Sequence, residues 1–198
     1  MHLAAVRWIA TLLRDEDEGL LATIVAGVPG MPDDVDLPLV VQIADETRKD
    51  DSWVAYGTYP ETVKAKGLCL VVRRFGVMEG DVLPNGGAIK SGQVAMHMLV
   101  PKHVDGVPVA TAVMQGAFIL RAAERVIKSK WPAEVSTDNP VVFGTRIVPA
   151  RDAPVFASHP LYDPETLGGG VYLDALLVTV SVDDNWANGF AADTPPTA

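Results

Sequence analysis

The chain has 198 residues, a formal net charge of −9 and 48% hydrophobic residues. That length and apolar content suffice for one globular domain with its own core, and they argue against bulk disorder. The negative charge argues against sequence-independent nucleic-acid binding, which needs a basic surface to neutralise phosphates. Cys69 is the single cysteine, so an intrachain disulfide and a cysteine-based zinc cluster are both excluded.

The N-terminal part of the chain predicts two helices and a strand. Apolar residues at helical spacing, Leu3 among them, predict a helix over 3–13. The acidic run 15–18 predicts a cap for a second, short helix, because carboxylates favour the positive end of a helix dipole. The alternating residues 39–43 then predict a strand.

The middle of the chain contains the clearest helix signal. Strands are predicted at 67–75, where Cys69 is interpreted as a buried thiol, and at 93–100, with the Gly-rich stretch 76–92 between them predicted as a loop. A long helix is predicted over 109–130 and ends at Trp131-Pro132. Its apolar stripe consists of Val109, Val113, Gly116, Leu120, Ala123 and Ile127.

The C-terminal part predicts further strands. Short strands are expected near 134–137 and over 141–148. The strongest strand signal covers 171–182 and is apolar on both faces, which indicates a central strand or one buried by a partner. The tail from about 188 is predicted to be flexible.

Two segments, 45–66 and 149–170, are predicted as long loops. Loops of this length are uncommon in compact domains unless they have a function. Trp53 lies in the first, and Phe156 and Tyr162 lie in the second. These aromatic residues favour contact with a neighbouring molecule.

We therefore predict one α+β domain over 1–198. Its sheet is expected to be mixed or antiparallel, with an N-terminal helix and one long helix packed on one face. No apolar run approaches the ~20 residues that a membrane-spanning helix needs, so no membrane contact is expected.

No catalytic, cofactor or metal site is predicted. The stretch 86–91 superficially resembles a phosphate loop but lacks the second glycine before Lys90. His97 and His103 are six residues apart, which in a continuous strand is roughly 20 Å at about 3.3 Å per residue, too far to share a metal. The sequence thus indicates a protein that is not an enzyme and has no cofactor.

Charged and aromatic residues give a set of candidate contacts. The basic face of the long helix is interpreted as solvated or as paired with a neighbouring subunit's acidic run, and the net charge disfavours the alternative of nucleic-acid contact. The candidate interaction residues are Arg121, Arg125, Lys128, Asp15, Glu16, Asp17, Trp53, Phe156 and Tyr162.

The order of predicted elements resembles that of the tail terminator (tail-completion) proteins of long-tailed bacteriophages. The resemblance covers most of the chain. It consists of a helix at 3–13, the strand LPLVVQI at 37–43, strands at 68–75 and 94–100, the crossover helix AFILRAAERVI at 117–127, the strand ALLVTVSV at 175–182, and Trp186.

The resemblance implies a structural virion protein of the tail and neck, assembled in the host cytoplasm. Members of the family form a ring, typically a hexamer, that caps the tail tube, stops its polymerisation and joins the tail to the head connector. The implied partners are further copies of the chain, the tail-tube protein and the connector protein. DNA would pass through the lumen without sequence-specific binding, and a negative wall does not hold a passing polyanion.

Other functions fit the same sequence. The loops 45–66 and 149–170 look like insertions relative to the family, which leaves another neck, head-completion or tail-tube protein as an alternative. A small ligand-binding or enzymatic α+β domain would instead have a deep pocket with converging polar groups. A nucleic-acid binder would have a steeply salt-dependent affinity.

Overall fold

A computed structural model of the protein describes residues 2–31, 39–44, 53–54, 68–82, 88–101, 108–134, 138–142, 144–148, 156–159 and 171–183. Within them the chain forms, in order, α1 (His2–Arg14), α2 (Leu20–Val25), β1 (Leu39–Ala44), β2 (Trp53–Val54), β3 (Leu68–Val82), β4 (Ala88–Pro101), α3 (Val109–Ser129), β5 (Val141–Val142), β6 (Thr145–Val148), β7 (Phe156–His159) and β8 (Val171–Asp183).

All eight described strands join one mixed sheet. Its order is β2-β1-β3-β4-β8-β6-β5, and β7 pairs with β8 beside this path. β1 runs parallel to β2 and to β3, and the other pairs are antiparallel. β6 pairs with 181–183 of β8 and β7 with 175–178, so the two lie in tandem along one edge of β8. β8 is therefore a central strand, as its apolar sequence predicts.

The helices form one core with one face of the sheet. Alternate residues of β3, β4 and β8 point to this face, where they meet α1 and α3. Ile9 of α1, Met96 of β4 and Ile127 of α3 are fully buried in this core, and burying each contributes about 1.5–3 kcal/mol. The predicted α+β architecture, with an N-terminal helix and a long helix on one face, is confirmed.

Gly116 allows α3 to approach the sheet closely. A Cβ at this position would lie 2.7 Å from Val100 Cγ2 and 3.3 Å from Met98 Cγ, both on β4. The first distance is shorter than real Cβ atoms adopt. Glycine is therefore the residue that fits where the helix crosses the strand.

The second face of the sheet is also buried, but it is partly polar. Cys69 and Leu99 form an apolar cross-strand pair there, and both side chains are inaccessible. Further along β4 and β8, Ser91 Oγ lies 2.6 Å from Ser181 Oγ. This hydrogen bond gives the buried Ser181 hydroxyl a partner. The interpretation of Cys69 as a buried thiol is confirmed.

The Gly-rich stretch 76–92 is not the loop that its composition predicts. β3 continues to Val82 and β4 begins at Ala88, so most of the stretch is a long hairpin. The pairing is irregular between Phe75 and Glu79, where β3 holds extra residues. Gly80 then faces β4 so closely that a Cβ would lie 2.1 Å from the Ile89 carbonyl oxygen. Here glycine permits strand pairing instead of ending it.

The segments predicted as long loops, 45–66 and 149–170, each contain a short strand, β2 and β7. The predicted strand over 141–148 is two strands, because Gly144 turns the chain with a φ of +69°. Glu134 lies in a bend instead of a strand. The tail from 188 lies outside the described residues.

The N-terminal helices differ from prediction in two details. Leu3 is 49% exposed, so it does not belong to the buried stripe of α1. Trp8 is buried instead and meets Trp131 edge to face, with ring centroids 5.3 Å apart. The residue before α2 is Gly19, whose position makes no side-chain cap, so the acidic run does not cap this helix.

Candidate interaction surface

The three candidate basic residues of α3 lie on its outer face. Arg121, Arg125 and Lys128 are all exposed, and their spacing of four and three residues aligns them along one helix stripe. The opposite stripe, which includes Ala123 and Ile127, is buried against the sheet. The prediction of separate apolar and basic faces is therefore correct.

Two of the basic residues on or just after α3 form ion pairs within the chain. Lys128 pairs with Glu124 one turn earlier on the same helix, and Lys130 beyond the helix end pairs with Glu18. Within the part of the chain that the structure describes, Arg121 and Arg125 have no ion-pair partner. Two guanidinium groups one helical turn apart thus remain available on an otherwise acidic protein.

The two arginines border a shallow groove between α3 and the turn that follows α2. The groove has a volume of about 200 Å³ and is lined by Val28, Pro29, Phe118, Arg121, Ala122 and Arg125. We call this the arginine groove. Its walls are apolar and its rim carries two cations, a combination that suits an apolar side chain next to a carboxylate.

The Phe118 ring packs against both Arg121 and Gly30 at the arginine groove. The Arg121 guanidinium carbon lies 5.7 Å from the centre of the Phe118 ring, within the range of a cation–π contact. Gly30 lies against the same ring, since a Cβ there would be 3.2 Å from Phe118 Cζ. Gly30 also has a φ of +81°, which favours glycine, so the turn that carries Val28 and Pro29 can pack closely on α3.

The candidate acidic residues form a turn between α1 and α2, residues 15–18, called here the acidic turn. The Asp15 carboxylate accepts hydrogen bonds from the backbone N–H groups of Asp17 and Glu18, at 3.0 and 2.8 Å. Glu18 is engaged by Lys130, whose pKa is raised by the hydrogen bond and charge of Glu18. Glu16 and Asp17 are exposed and have no ion-pair partner among the described residues.

The helices α2 and α3 also carry exposed apolar residues. Leu21 and Val25 of α2 are 56% and 87% exposed, and Met114 of α3 is 51% exposed. Clustered exposed apolar side chains are typical of surfaces that bind another protein.

The remaining candidates are placed only in part. Trp53 begins β2, opposite Ile43 of β1, and Phe156 begins β7, opposite Val178 of β8. Tyr162 lies outside the described residues. The structure thus assembles the arginine candidates into a groove and the acidic candidates into a turn, and it places Trp53 and Phe156 on strands of the sheet.

Sequence reasoning missed the apolar lining of the groove. The positions of Phe118, Arg121 and Arg125, three and four residues apart, already place them on one helix face. Val28 and Pro29 carried no such signal, because their contact with α3 depends on the path of the chain through Gly30.

Neither a cluster of potential metal ligands nor a membrane-spanning helix is found among the described residues. No group of three or more histidine, cysteine, aspartate or glutamate residues in the described ranges is arranged to hold a metal ion. None of the described helices combines the length and apolar character needed to cross a bilayer. His97 is buried in β4 opposite Ala175, and His103 lies outside the described residues.

No family model matches the chain, and a search of curated proteins finds no similar sequence.

Proposed function

We propose that this chain is a structural virion protein, a tail terminator of a long-tailed bacteriophage. It would form a ring, typically a hexamer, that caps the tail tube and joins the tail to the head connector. Its partners would be further copies of itself, the tail-tube protein and the connector protein. It would act in the virion neck after assembly in the host cytoplasm, as a scaffold and not as an enzyme.

The observation that carries the proposal is the order of elements in the fold. An N-terminal helix, a strand, two long paired strands, a long helix and a long strand occur in this order as α1, β1, β3, β4, α3 and β8, with α2, β2, β5, β6 and β7 between them. This is the order on which the resemblance to tail terminators rests. The long helix comes after β4 and before β8 in sequence and packs on the sheet in which these two strands pair.

The surface supports the proposal independently of the fold. Basic residues on α3 and acidic residues in the acidic turn, neither of them ion-paired within the described part of the chain, give it two complementary surfaces, and a head-to-tail ring uses two different surfaces of each subunit. Exposed apolar residues on α2 and α3 add area that a partner can cover. The net charge of −9 suits a channel through which DNA passes without being held.

Polymerisation of the tail tube in the presence of the chain tests this function. Purified tail-tube protein of the same phage is polymerised with and without the chain, and tube lengths are measured in negative-stain images. We expect shorter tubes with extra ring-shaped density at one end. Chain added after polymerisation should decorate one end without changing the length, which separates capping from binding along the side. Tubes of unchanged length with two bare ends would refute the proposed function.

A further inference from the structure

We propose that the arginine groove of one copy binds the acidic turn of a second copy of this chain, head to tail. This inference rests on the proposed function, which supplies the ring that such a contact would build. The groove and the turn would be the two paired surfaces of that ring, and their charged residues would determine the pairing.

Each of the two surfaces carries two charges, opposite in sign, that no described residue pairs. Arg121 and Arg125 lie on α3 without ion-pair partners in the described part of the chain, and their Cα atoms are separated by about 6 Å along the helix axis. Glu16 and Asp17 are the two carboxylates of the acidic turn that no described residue engages. Each guanidinium presents a fork of donors that suits a carboxylate.

The paired charges show which residues the contact does not use. Lys128 is held by Glu124, so it is not expected to contribute to the contact. Glu18 is held by Lys130, which fixes the acidic turn to the end of α3 within one chain. That internal pair presents Glu16 and Asp17 from a supported turn, and this reduces the ordering cost of binding.

An apolar contact accompanies the charges. Leu21 follows the acidic turn at the start of α2 and is more than half exposed. The arginine groove is lined with the apolar side chains of Val28, Pro29 and Phe118 and is open to solvent. A leucine entering this groove would lie beside the two arginines, so apolar burial and charge pairing reinforce each other.

A second copy fits this groove better than a nucleic-acid phosphate. Two arginines are a small basic area on a chain with a net charge of −9, which repels a polyanion on approach. The apolar lining also has no counterpart on a phosphate backbone. Because the groove and the acidic turn are two different surfaces of the chain, their pairing would be head to tail, the kind of contact that forms a ring when the rotation closes.

Charge reversal and recombination test the contact on the full chain. The groove variant is Arg121→Glu/Arg125→Glu, the turn variant is Glu16→Arg/Asp17→Arg, and the control is Arg74→Glu, compared with the single groove change Arg125→Glu. The control makes the same basic-to-acidic change at an exposed position of β3, away from the two helical surfaces. Ring formation is measured by native mass spectrometry, with the chain alone and on tail tubes.

We expect the groove variant and the turn variant each to need at least about tenfold higher concentration to assemble. An equimolar mixture of the two should restore rings, because each altered groove then meets an oppositely charged turn. These restored rings should contain the two variants in equal numbers. The control should assemble like the wild type, and all variants should keep the wild-type melting temperature.

Several outcomes would overturn the contact. Rings formed by the groove variant at wild-type concentrations would exclude it and leave the proposed function standing. Loss of rings in the groove variant but not in the turn variant would mean that the groove binds something other than the acidic turn. A mixture that stops at a one-to-one pair would exclude the head-to-tail arrangement. A wild-type chain that forms no ring, alone or on tubes, would refute both the contact and the proposed function.

Discussion

The two faces of helix α3 differ in burial and in charge. The inner face packs on the sheet and carries residues such as Ile119 and Ile127, which are fully buried. The outer face is exposed and carries Arg121 and Arg125, to which no described residue is ion-paired. Because one helix holds both faces, their difference reflects side chains and not backbone structure.

This difference indicates which properties each face controls. Burial of apolar area dominates the free energy of unfolding, whereas exposed charges contribute little to it. Substitutions on the inner face should therefore change stability, and substitutions on the outer face should change association while stability remains constant. Each of the following predictions tests this separation between effects on stability and effects on association.

The largest expected effect is a cavity on the inner face. Ile127→Ala removes buried methyl and methylene groups and should lower the free energy of unfolding by about 2–5 kcal/mol. The matched outer substitution, Met114→Ala, should change it by no more than about 0.5 kcal/mol, because this side chain is half exposed. Urea unfolding followed by circular dichroism measures both. Equal losses for the two variants would contradict the assignment of the faces.

A smaller loss is expected from overpacking where α3 crosses β4. Gly116→Val places new atoms against Val100 and should cost about 1–3 kcal/mol of stability. Ala117→Val, at the neighbouring exposed position, should cost less than about 0.7 kcal/mol, the difference in helix propensity. Thermal melts of the two variants compare them directly. If Gly116→Val proves neutral, the helix does not approach the sheet as closely as described.

Charge reversal on the outer face should leave the fold nearly unaffected. Arg121→Glu/Arg125→Glu is expected to change the free energy of unfolding by no more than about 1 kcal/mol per site, since both arginines are exposed, lack ion-pair partners in the described chain, and Arg121 loses only a surface cation–π contact with Phe118. Denaturant unfolding of the dissociated chain measures this. A loss comparable to that of Ile127→Ala would show that the outer face is part of the folded core.

The smallest effect concerns Lys130 and has a defined pH dependence. Its pKa is raised above 10.5 in the folded chain by the hydrogen bond and charge of Glu18. The stabilisation by Lys130 is therefore fully present below pH 10.5 and is lost as the pH rises through the folded-state value. The small difference in melting temperature between wild type and Lys130→Gln should be constant from pH 7 to 9 and shrink above pH 10.5. A difference that persists at strongly alkaline pH would have another origin.

Sequence periodicity predicted the elements that have strong internal patterns. α1, α3 and β8 were found because their apolar residues recur at intervals set by local geometry. The hairpin of β3 and β4 was missed over 76–92, because its glycines indicate breaks in isolation and permit close pairing in the sheet. β2 and β7 were missed because strands of two and four residues are too short for an alternating pattern to stand out in the sequence.

The candidate surface was likewise predictable only where it depends on residues close in sequence. Exposure of Arg121 and Arg125 followed from helix periodicity, and the pairing of Lys128 with Glu124 is an interaction of residues four apart. The pair of Lys130 and Glu18 joins residues 112 positions apart, so only the fold reveals it. The structure therefore adds the information on which basic residues are ion-paired within the described part of the chain.

Native mass spectrometry of the wild-type chain, with negative-stain images of the same sample, tests the central claim most directly. The chain is measured alone over a range of concentrations and again after mixing with tail tubes. Our account predicts closed rings, typically hexamers, in solution or at one end of the tubes. A chain that remains monomeric at every concentration and leaves the tube ends bare would contradict it.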